Sequence, residues 1–147
     1  MEHRALKSLH CALIDARQGY EKAREETEDT TLATLFGEMI ALHSRAHSDI
    51  HQSLLDAGET PDDSGSFMGT VHKTVIAVRS AVTGIDRASL DSFASGEERI
   101  AEKYADAIED QSDHKLAEML RRHESALLDT IDRMKRIAHS AGVEERA

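Results

Sequence analysis

Three histidines recur at every fourth residue in "HSRAHSDIH", as His43, His47 and His51. On a helix this spacing brings side chains to nearly the same face, one turn apart. At ~100° per residue, Leu32, Phe36, Met39, Ile40, Ile50, Leu54 and Ala57 define an apolar face. His43 lies in the middle of that face, His47 close to its middle, and His51 at its edge. Two other segments repeat the pattern. Glu97 falls in line with Phe93, Ala94, Ala101 and Tyr104, whereas Glu98 is off to the side. His123 falls among Met119, Leu120 and Leu127. Each polar group on a core stripe must find a partner or carry a desolvation cost of roughly 2–7 kcal/mol.

Imidazoles and a carboxylate at one level form a chelating set that suits zinc, iron or nickel. The expected ligands of a divalent metal are therefore His43, His47, Glu97 and His123. The same residues also fit a purely structural layer, in which Glu97 pairs with His43 or His123 and fixes helix register. Other candidates carry weaker signals. His10 borders the first apolar stripe and His72 borders a short helix, and both read as surface or boundary residues. His3, His114 and His139 lie near helix ends and read as exposed. Cys11 is off the stripe and is the only cysteine, which excludes an intramolecular disulfide. No catalytic residue, phosphate-binding glycine loop or hydrolase elbow is visible.

The elements that must carry these residues are helices. Leu6, Leu9, Leu13, Ala16, Tyr20 and Ala23 form a heptad stripe, predicting a helix over about 3–28. A second helix is expected over about 31–57, capped by Asp29 or Thr30 and stopped at Gly58. "GETPDDSGS" is a loop, followed by a short helix at about 66–82 bearing Phe67, Val71, Val75, Val78 and Val82. Further helices are expected at about 87–110 and 113–140, with "GVEERA" as a frayed tail. The result is one all-α domain over residues 1–147, a four-helix bundle made of two antiparallel hairpins. The short helix, at ~25 Å, can traverse most of the bundle, so the helices before and after it should run parallel. In that topology His43, His47, Glu97 and His123 all fall within about one and a half turns of mid-bundle.

The hairpin, "DAGETPDDSGS", "AVTGID" and "GEERIAEKYADAI" resemble an uncharacterised bacterial family of ferritin-like four-helix-bundle proteins, a domain of unknown function. The resemblance implies the ferritin-like fold with its long crossover and no agreed activity. A ferritin-like di-iron centre would need a Glu from each of two helices and Glu-x-x-His from the other two. Here Ile40 and Leu120 stand three residues before His43 and His123, and Glu21 and Glu25 fall outside the first stripe. The sequence therefore departs from that centre.

Composition bounds the partners. The net charge is −10 and aromatics are 3%, which argues against nucleic acid and anionic membrane surfaces. No apolar run approaches the ~18 residues of a membrane span, and the first residues lack a secretory h-region. A cytoplasmic location is the expectation. Phe67, Met68, Ile76 and Val82 offer an apolar arc that suits a homodimer. Two functions follow: a metal-binding or metal-linked redox or stress protein, or a non-enzymatic bundle acting through its surface as a dimer or adaptor.

Overall fold

A computed structural model describes residues 3–61 and 85–146, with side chains as far as residue 140. All regular structure among these residues is helical. The helices are α1 (Arg4–Glu26), α2 (Thr30–Asp56), α3 (Leu90–Asp110) and α4 (His114–Arg146), with one 3₁₀ turn at Arg87–Ser89. The expected short helix at about 66–82, with His72 and the arc of Phe67, Met68, Ile76 and Val82, lies outside the described residues.

Local chemistry sets the helix ends. Asp29 caps α2, its Oδ1 accepting from Thr31 N at 2.9 Å and Leu32 N at 3.3 Å. The end of α2 is a Schellman motif. Gly58 takes φ 82°, its N–H reaches Leu55 O, and Glu59 N–H reaches Leu54 O at 2.9 Å. Asp86 and Ser89 form a capping box before α3. Asp113 Oδ1 accepts from Lys115 N at 3.0 Å at the start of α4. The tail expected to fray instead continues α4 to Arg146. Gly142 is the one poor helix former there, and its penalty is only about 1 kcal/mol.

The helices pack in a ring. α1 lies against α2 and α3, and α4 lies against α3 and α2. Contacts along the ring give the directions. Ser8 meets Lys103 at 2.8 Å and Tyr20 meets Glu97, so α1 and α3 are antiparallel. Asp49 meets His123 and Glu38 meets Arg133, so α2 and α4 are antiparallel. Arg87 meets Asp29 at 3.0 Å, ahead of α3 and α2 respectively, and Glu97 meets His43 further along both. α2 and α3 therefore run in the same direction and face each other across the bundle's diagonal. The core between the four helices holds Leu9, Leu13, Phe36, Met39, Leu120 and Leu127, all buried.

Candidate metal centre

α3 has an interior heptad line of Leu90, Ala94, Glu97, Ala101 and Tyr104. This line carries Glu97 to the centre of the bundle, where the residue is only 2% exposed. His43 reaches it from α2 across the diagonal, and Tyr20 from α1. Tyr20 Oη donates to Glu97 Oε1 at 2.6 Å, and His43 Nε2 lies 2.8 Å from the same oxygen. Glu97 Oε2 and His43 Nδ1 are buried and have no hydrogen-bond partner among the described residues. Phe36, Phe93 and the His43 ring pack around the Tyr20 ring, with centroids 5.7, 5.5 and 6.0 Å away. Burial, and then the charge and hydrogen bond of Glu97, push the Tyr20 phenol well above its ordinary pKa. Tyr20 is thus fixed as a protonated donor. Tyr20 belongs to the heptad stripe of α1, and its long side chain carries the hydroxyl into this layer.

A second cluster lies beside the first. His10 of α1 and His47 and His51 of α2 each offer one ring nitrogen, and the three atoms lie within 4.8 Å of one another. His10 Nε2 and His51 Nδ1 share a hydrogen bond of 3.1 Å. The His10 ring is 4.5 Å from the His47 ring and 5.3 Å from the His51 ring, centroid to centroid. His10 is buried, and His47 and His51 are half-buried.

Helix geometry explains why one i, i+4, i+8 series splits into two neighbourhoods. Four residues advance ~400°, so each step drifts ~40° past a full turn. From His43 at the core centre, His47 and His51 rotate away from the diagonal toward α1. The centre of the face is taken by Ala46 and Ile50, both at most 1% exposed. His10, read from the sequence as a boundary residue, is 2% exposed. α1 contacts two neighbouring helices, so it buries a face wider than a strict heptad line. His10 and Ile14 fill the extra width beside Leu9 and Leu13.

His123 belongs to neither cluster. Its Nε2 pairs with Asp49 Oδ2 at 2.8 Å, with the imidazole 18% exposed. The buried line of α4 runs through Ala117, Leu120, Leu127, Ile131, Met134 and Ala138. Heptad spacing puts Glu124, not His123, between Leu120 and Leu127. Of the four ligands expected from the sequence, His43 and Glu97 are in contact. His47 sits with His10 and His51, and His123 stands at the α2–α4 edge.

The three-imidazole cluster has the donor set for a metal ion. Three nitrogens at ~2.0–2.1 Å from a tetrahedral ion lie about 3.3 Å apart. One pair is already at 3.1 Å, and side-chain rotation must close the rest of the 4.8 Å spread. Imidazole donors select zinc, iron, copper or nickel over calcium and magnesium, which require oxygen.

Fold and clusters together define an all-α helical bundle with a tyrosine–carboxyl–imidazole layer and a three-histidine group on its first hairpin. Residues 1–110 match the family described as a domain of unknown function, DUF2383, and the chain belongs to that family. The matched stretch contains every residue of both clusters. No curated protein and no solved structure matches the chain. No described helix is long and apolar enough to cross a membrane.

Proposed function

We propose that this protein binds one divalent transition-metal ion, zinc or iron, through His10, His47 and His51. The observation that carries the reading is the convergence of three imidazole nitrogens from two helices within 4.8 Å. Neutral imidazoles impose no charge repulsion among the ligands, and the chain's net charge of −10 draws cations toward it. Iron at this site would give the bundle a metal-linked redox or stress role. The common direction of α2 and α3, with a long segment between them, supports a ferritin-like connectivity. The test is equilibrium dialysis of tag-free protein against zinc. One ion per chain should be retained, and His10→Ala should lose it.

A second reading puts the ion at Glu97 and His43, toward the ligand set expected from the sequence, with His47 and His123. Glu97 Oε2 and His43 Nδ1, which have no hydrogen-bond partner among the described residues, favour it. Under that reading Glu97→Gln, and not His10→Ala, removes the ion. If no metal is retained by any form, the bundle acts through its surface and the buried layer is structural. As a partner we propose a second copy of this chain in a cytoplasmic homodimer, checked by sedimentation equilibrium.

A further inference from the structure

A phenol that loses an electron becomes a strong acid. The loss is therefore easy only where a base is already in place to take the proton. Tyr20 has such a base. Its hydroxyl donates to Glu97 Oε1 at 2.6 Å, a short bond to a carboxyl that is itself 2% exposed. Glu97 Oε2 is buried with no hydrogen-bond partner among the described residues, so the carboxyl keeps lone pairs free for an incoming proton. Burial, and then the charge and hydrogen bond of Glu97, hold the phenol protonated far above its ordinary range. The proton therefore does not leave ahead of the electron. Phe36 and Phe93 pack on the ring at 5.7 and 5.5 Å and help to keep water from it. Tyr104 is buried too, but burial and carboxyl charge act on it without a hydrogen bond to a carboxyl among the described residues.

We infer that Tyr20 is a redox-active residue, giving one electron to a cationic metal-complex oxidant and its proton to Glu97. The O–H bond of Tyr20 breaks, a new O–H bond forms on Glu97 Oε1, and the oxidant is reduced by one electron. The products are a neutral tyrosyl radical and a neutral carboxyl, so the layer sheds the buried negative charge of Glu97. Re-reduction reverses each step. The oxidant needs no contact with Tyr20, because an electron can cross a layer of helix, whereas the proton moves only along the hydrogen bond. The chain's net charge of −10 draws a cationic oxidant to its surface. The inference does not depend on a bound metal ion.

The full, tag-free chain is freed of metal with chelator and oxidised by photogenerated ruthenium(III) tris(bipyridine), in excess over the single thiol. Samples are frozen and read by electron paramagnetic resonance. The chain has two tyrosines and no tryptophan, so a tyrosyl signal has only two possible sources. The parent and Tyr104→Phe should give the radical, and Tyr20→Phe should lose it. Glu97→Gln, which keeps the shape of the acceptor but not its basicity, should also lose it while retaining the helical circular dichroism of the parent. In heavy water the signal of the parent should rise more slowly, since an O–D bond must then break with the electron loss. No signal in the parent, a signal lost in Tyr104→Phe but kept in Tyr20→Phe, full yield in a folded Glu97→Gln, or an unchanged rate in heavy water would each overturn the inference.

Discussion

Tyr20→Phe isolates one hydroxyl in the centre of the bundle. The phenyl ring keeps its packing against Phe36, Phe93 and His43, so the variant changes little besides the 2.6 Å bond to Glu97. Glu97 Oε2 already has no partner, so the variant leaves His43 as the only hydrogen-bond partner of the carboxyl among the described residues. A hydrogen bond to a charged group contributes about 1.5–3 kcal/mol. The expected destabilisation is therefore about 2 kcal/mol. For a chain of this size, that lowers Tm by about 4–8 °C. Urea denaturation followed by circular dichroism measures it, with the m-value expected to stay constant. A double-mutant cycle with Glu97→Gln should return a coupling of about 1–2 kcal/mol, since the two residues touch directly. A loss below about 0.5 kcal/mol with no coupling would refute the reasoning, because the layer would then be solvated rather than directly bonded.

Three further outcomes follow from the same structure. The chain has two tyrosines, and burial followed by nearby carboxyl charge raises both above their ordinary pKa. The unfolded chain releases phenolic protons above pH ~10 while the folded one retains them, so stability must fall as pH rises past that point. Tyrosinate absorbance should appear only together with loss of helix. At the α1–α2 turn, the Arg87 side chain and then the Leu32 and Thr31 N–H groups hold Asp29 below its usual carboxyl range. That contribution is present above pH ~4 and is lost as pH falls through the lowered value. Asp29→Ala should cost about 0.5–2 kcal/mol at neutral pH through loss of the cap, and should flatten part of the acid limb of the stability curve. Gly58→Ala meets no atom of the described residues within 4 Å, so the loss expected from φ 82° is about 1–2 kcal/mol by thermal melting.

The bundle was legible because its stripes are regular. The α2 stop at Gly58, the Asp29 cap and the inward placement of His43 and Glu97 all follow from residue type and spacing. Matched depth on two segments was enough to bring His43 and Glu97 together. Depth says nothing of rotation about the axis, and this is where the remaining site residues diverged. His47 drifts ~40° from His43 and so faces α1 instead of the diagonal. His123 sits one position off a heptad line that passes through Glu124. His10 reads as a surface or boundary residue because a stripe of Leu6, Leu9 and Leu13 reports one packing partner, whereas α1 has two. The available signal was the neighbouring Ile14, which extends the apolar face to the same side as His10.

The position of a bound ion distinguishes the three-histidine cluster from the Glu97–His43 layer. Crystals of tag-free protein soaked in a zinc salt, measured on both sides of the zinc absorption edge, locate the ion without reference to ligand assignments. One anomalous peak per chain is expected, at ~2.0–2.1 Å from a ring nitrogen of each of His10, His47 and His51. A peak between Glu97 and His43, peaks confined to surface carboxylates, or no peak at all would contradict it.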